Sequence, residues 1–182
     1  MDIIEAIATR ASISALAEPG PSDAQLDTLL RAGAAAPDHA RLRPWRFLVA
    51  RGAGRERLGD LLAAAQRAKN PLTPEDALER ERRKPLRAPM ILIVSVVPVA
   101  HPGAPEIEQI LAGGAAAQNI LLAAHGLGLG AIWRTGAPAY DPNVIAALGL
   151  PDNAKIVGFL YLGTPSGPAP AREPKSPEFR EF

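Results

Sequence analysis

The residues that could do chemistry in this chain stand at the ends of apolar stretches, outside any familiar catalytic motif. Arg10 and Ser12 follow Ile3, Ile4 and Ile7; Asp38, His39, Arg41 and Arg43 precede WRFLVAR; Trp133, Arg134 and Thr135 close the run GLGLGAIWRT. Singly, each has an ordinary explanation: an arginine at a helix C-terminus, a tryptophan in the core, a histidine that is a satisfied side chain. Together they make a less ordinary set, polar groups gathered at the ends of apolar elements. Other chemistry is poorly served. His39, His101 and His125 are widely separated and form no HExxH spacing, so no metal site is expected, and no G-x-S-x-G or G-x-x-x-x-G-K-[ST] occurs. The absence of cysteine removes disulfides, thiolate metal sites and cysteine nucleophiles. Arg80, Arg82, Arg83, Lys84 and Arg87 could form a phosphate footprint, but Glu75, Asp76, Glu79 and Glu81 interleave with them, as on a solvated helix face.

The element that must position these groups is EIEQILAGGAAAQNILLAAHGLGLGAIWR, residues 106 to 134. From Ile110 to Leu127 its only polar residues are Gln118, Asn119 and His125, which predicts a core helix, with Gly113 to Ala117 open to close approach by a second helix of a partner subunit. Gly126, Gly128 and Gly130 end that helix and lead into a strand. A dinucleotide fingerprint runs strand, glycine turn, helix, so GLGLG is not one.

Elsewhere Asp2 to Thr9 reads as a short helix. Ser22 with Gln25 forms a capping box ahead of a helix that stops near Pro37. Trp45–Arg51, Met90–Val97 and Lys155–Leu162 read as strands, the second covered on both faces. Helices are expected from Gly54 to Lys69, from Thr73-Pro74, read as cap and first-turn proline, to about Lys84, and from Asp141-Pro142. The pattern gives an α+β fold with a central mixed or antiparallel sheet flanked by helices. Residues 1–182 are expected to make a single domain, and the proline-rich stretch 164–182 an extended C-terminal tail. A net charge of +1 gives no bias toward nucleic acid or membrane, and the absence of a signal peptide or an apolar span points to a cytoplasmic protein.

The R-x-S of residues 10–12, RAGAAAPDHARLRPWRF at 31–47, GAIWRTG and KIVGFLYLGTP resemble the nitroreductase family of FMN flavoproteins, especially its small NAD(P)H nitroreductase branch. The resemblance runs in one register from Asp2 to Phe182. It implies a nitroreductase-like fold, an intertwined homodimer, and FMN at the subunit interface. Arg10, Ala11 and Ser12 would hold the phosphate and ribityl side, Ala35 and His39 would approach from the other subunit, and Trp133, Arg134 and Thr135 would line the flavin. Ala123, Ala124, His125, Gly126, Leu127 and Gly128 match a stretch used for the nicotinamide cofactor. No catalytic acid or nucleophile is needed, since hydride would pass from NAD(P)H through FMN to a nitroaromatic, quinone or related small-molecule acceptor in a ping-pong cycle.

The chain also departs from the family. Many members carry arginine at position 11 and a basic residue at 14, where this chain has Ala11 and Ser14; Arg41 and Arg43 replace a common asparagine and glutamine. Three readings follow: an FMN-dependent NAD(P)H oxidoreductase acting without nucleic acid or membrane partners, a flavin-binding or flavin-handling protein with little turnover, and a nucleic-acid-binding protein using Arg80–Arg87.

Overall fold

A computed structural model describes residues 1–168, 170 and 176–182. Its scaffold is an antiparallel sheet built on two long apolar strands. Strand β3, Met90–Val96, is buried at every position, so apolar side chains suit both faces. It pairs on one side with β2, Trp45–Arg51, and on the other with β5, Lys155–Pro165. The far edge of β5 carries two short strands: β4, Gly130–Arg134, and β1, Leu16–Ala17. Every pairing is antiparallel, which settles the choice between mixed and antiparallel.

Helices cover both faces. On one lie α2, Asp23–Ala34, and α5, Glu106–Gly126, over Leu92, Val94, Leu160 and Leu162. On the other, α3, Ala53–Lys69, and α6, Pro142–Ala147, cover Ile91, Ile93, Ile156 and Phe159. Helix α4, Glu75–Arg83, crosses α3 so closely that a Cβ on Gly59 would collide with the Arg82 carbonyl. Helix α1, Ile3–Thr9, packs against α5.

The local signals act as expected at several boundaries. Ser22 accepts from Gln25 N while the Gln25 side chain accepts from Ser22 N, the reciprocal capping box. Asp141 caps α6 ahead of Pro142. Thr73 does not cap α4: its hydroxyl donates to Asn70 O, and Pro74 itself takes the cap position. Strand β5 runs three residues beyond Leu162, because Thr164 and Pro165 pair with Ala17 and Leu16. Part of the expected tail, residue 169 and residues 171–175, lies outside the described residues.

Helix α5 is less enclosed than its composition implies. Gly113, Ala116 and Ala117 bury against the sheet of their own chain; a Cβ on Gly113 would collide with Val96 and stand 2.9 Å from Val157. Within the chain, the close partner of Gly113, Ala116 and Ala117 is the sheet. The opposite face is open, with Ile107 and Leu111 exposed and nothing within 4 Å of a Cβ on Gly114.

Candidate functional site

Strand β4 delivers two of the expected site residues to opposite faces of the sheet, because side chains alternate along a strand. Trp133 packs on the α5 side, and its indole N–H donates to Val157 O at 3.1 Å. That carbonyl sits at an irregularity in the β3–β5 ladder, where Val94 pairs with Gly158 but Ser95 pairs with Ile156. Arg134 turns to the α3 side and lies over Tyr161, with its guanidinium carbon 5.7 Å from the ring centroid. Its buried Nε has no hydrogen-bond partner, which is costly for a cationic donor removed from water.

Arg134 lines a cavity of about 450 Å³, within the roughly 300–1,000 Å³ typical of small-molecule sites. Trp133, Thr135 and the 3₁₀ turn Ala137–Tyr140 form one rim, and Leu58, Leu62, Val144 and Phe159 supply an apolar wall. Lys84 and Arg87 come from a second 3₁₀ turn, Lys84–Arg87, in which Pro85 follows the end of α4. Glu81 holds the Lys84 ammonium at 2.6 Å through both oxygens. Burial pushes the Tyr161 phenol above its usual range; Arg134 and then Arg87 oppose the rise, and Glu81 adds to it. Sequence reasoning missed Lys84, Arg87 and Tyr161 as cavity residues. The one available signal was Pro85, which ends the helical face on which the charge run was placed.

The remaining expected residues lie elsewhere. Ile13 N donates to Ala131 O at 2.9 Å, so Arg10, Ala11 and Ser12 run up to the free edge of β4, within a few residues of Trp133. Ala35 and His39 line two grooves along the outer face of α5. His39 sits in a loop where Ala40, Arg41 and Arg43 have φ of 61°, 56° and 48°. Left-handed backbone costs non-glycine residues about 1–2 kcal/mol each, and such strain gathers at functional sites. Asp38 offsets part of it by accepting from Arg43 N at 2.7 Å. Ala123 to Gly128 run through the C-terminal end of α5 and past it, with Gly126, Leu127 and Gly128 exposed, Ala123 and His125 part-buried, and His125 Nε2 2.9 Å from the Thr9 hydroxyl. Ala124 is the exception, buried in the core with its carbonyl taken by Leu129 N.

The basic run is largely self-neutralised: Arg80 pairs with Asp76, Arg82 with Glu75 and Glu79, and Arg83 with Glu79. Arg82 holds the Glu75 carboxyl below its usual range, and Arg83, assisted by Arg82, does the same to Glu79. Among the described residues there is no cluster of three potential metal ligands, and no helix is long and apolar enough to cross a membrane.

The Nitroreductase family model matches residues 7–164. The chain belongs to the nitroreductase family. It is 42% identical over 165 residues to the Escherichia coli K12 protein named "Putative NAD(P)H nitroreductase YdjA", covering 91% of this chain and 89% of that one. A Bacillus cereus nitroreductase-like family protein has the same fold, with a TM-score of 0.79, 28% identity and coverage of 97% and 92% of the two chains. A Desulfovibrio desulfuricans structure described as a putative nitroreductase in complex with FMN gives a TM-score of 0.72 at 29% identity, covering 96% and 92%. The small-branch resemblance carried by APDH and WRTG and the α+β expectation are thus met.

Proposed function

We propose that this nitroreductase-family chain is an FMN-dependent NAD(P)H oxidoreductase. The observation that carries the reading is the Arg134 cavity: apolar walls, a few polar groups, and a buried guanidinium nitrogen without a protein partner. Flavin carbonyls and ring nitrogens are acceptors of the kind that this nitrogen needs. When bound, FMN supplies the redox chemistry itself, carrying hydride from NAD(P)H to a nitroaromatic, quinone or related acceptor. Trp133, Arg134 and Thr135 line the ring, and Arg10, Ala11 and Ser12 hold the phosphate and ribityl side from the β4 edge. Ala123, His125, Gly126, Leu127 and Gly128 offer the nicotinamide cofactor an open turn; Ala124 supports it from the core.

Ala35 and His39 serve the flavin of a partner subunit in this reading, which is why they lie on the outer face of α5, away from the Arg134 cavity. That face also exposes Ile107 and Leu111 near the N-terminal end of α5, and α1, packed toward the other end of the same helix, exposes Ile3, Ile4 and Ile7; these are apolar surfaces suited to a second copy of the chain. The low-turnover alternative drew on Ala11 and Ser14. Arg87 brings positive charge to the cavity from another part of the chain, whereas the charge of Lys84 is paired with Glu81, and reduction by a nicotinamide is what separates the two readings.

The test is the visible spectrum of the purified protein. Flavin bands that bleach on anaerobic addition of NADH or NADPH are expected. A colourless protein that cannot be reconstituted with FMN overturns the proposal, and a yellow one that neither nicotinamide reduces limits it to flavin binding.

A further inference from the structure

His39 and Glu108 stand 69 residues apart in sequence, yet His39 Nδ1 lies 2.6 Å from Glu108 Oε2. Glu108 belongs to the first turn of α5, and His39 to the loop of left-handed residues that follows Pro37. Both side chains are substantially exposed, at 58% and 44%, and an ion pair in that setting adds little to stability. What the contact does fix is the ring. An ionised carboxylate can only accept, so Nδ1 must carry the hydrogen and Nε2 is left as the nitrogen available to a ligand. The backbone restricts the same side chain from the other end, since Asp38 closes the loop onto Arg43 N.

We propose that Glu108 is the positioning residue for His39, selecting the Nδ1–H tautomer and ring orientation with which Nε2 meets the flavin. The inference rests on the assignment of His39 to FMN given above. Glu108 does not itself touch the cofactor; it acts through the imidazole.

A double-mutant cycle tests this in the FMN-loaded full-length protein, with flavin release on dilution followed by fluorescence. Glu108→Ala removes the acceptor at an exposed helical site where alanine is well tolerated. It should weaken FMN retention about tenfold, within the range shown by coupled neighbours, and should have no further effect in a His39→Ala background. Glu108→Gln, whose amide oxygen still accepts from Nδ1–H, should restore most of the affinity. Nitrogen-15 spectra of the imidazole should show the Nδ1–H tautomer in the wild type and a mixture in Glu108→Ala. Equal losses from Glu108→Ala with and without His39, or an Nε2–H tautomer in the wild type, overturn the proposal. Wild-type FMN retention in His39→Ala would instead remove the assignment on which it rests.

Discussion

The indole of Trp133 occupies the space that any side chain at residue 158 would need: a Cβ built on Gly158 collides with the indole nitrogen and its neighbouring carbons. The same nitrogen donates to the carbonyl of Val157, so the glycine and the ladder irregularity together make the berth for the tryptophan. Gly158→Ala is therefore expected to displace Trp133 and, through the strand, Arg134 and Thr135. Overpacking of this kind costs about 1–3 kcal/mol. Thermal melting should show a clear loss, with weakened FMN binding beside it. Wild-type values of both would mean that the site tolerates the shift.

Arg10 and Arg134 should separate under two flavins. Arg134 lines the cavity, so Arg134→Ala is expected to weaken FMN and riboflavin alike. Arg10→Ala should weaken only FMN, by roughly one to two powers of ten for a charge-assisted hydrogen bond of about 1.5–3 kcal/mol, since riboflavin has no phosphate. Fluorescence titration with each flavin gives the answer; equal losses for both flavins in Arg10→Ala would move the phosphate elsewhere.

The neighbouring glycines of α5 should respond in opposite ways. Gly113→Ala pushes a methyl into Val96 and Val157 and should lower the melting temperature of the subunit itself. Gly114→Ala meets nothing within 4 Å in the single chain and should raise helix stability by up to about 1 kcal/mol. A drop in dimerisation for Gly114→Leu, read by light scattering at falling concentration, would place the partner over this face. A dimer indifferent to Gly114→Leu and Leu111→Lys would put the interface elsewhere.

Tyr161 supplies an alkaline prediction. Its folded pKa lies above the unfolded value, so the protonated phenol contributes stability that is complete below the unfolded pKa and is lost as pH rises through the folded one. Denaturant midpoints followed upward from about pH 9 should therefore fall more steeply in the wild type than in Tyr161→Phe. Parallel curves would show that the phenol is not held protonated by its burial.

Much of the frame was legible because its signals are local. The reciprocal Ser22–Gln25 cap, the seven buried residues of β3 and the Asp141-Pro142 helix start each need only a few adjacent residues. Thr73 misled because threonine before proline looks like a cap, whereas its hydroxyl is used to close the Asn70 turn. Strand β1 was invisible: two residues carry no period, and their partners lie almost 150 positions away. The charge run was judged as a single helix face. The backbone changes to a 3₁₀ turn at Lys84, and that swings Lys84 and Arg87 toward the cavity while Arg80, Arg82 and Arg83 keep their carboxylates. The resemblance carried by APDH made His39 an expected site residue, but nothing local could pair it with Glu108.

Strands β5 and β4 hold residues 13–17 against partners more than a hundred positions away. Leu16 and Ala17 pair with Pro165 and Thr164, Ser166 N donates to Ala15 O, and Ile13 N donates to Ala131 O. The segment that follows Arg10 and Ser12 therefore has no edge to join until Ala131 and then Thr164 to Ser166 are in place. Contacts of such long sequence separation form slowly, since loop closure must precede any gain from the pairing. A chain that lacks Ala131 has no β4 edge for Ile13 to bond, so the segment that follows Arg10 is ordered late in folding.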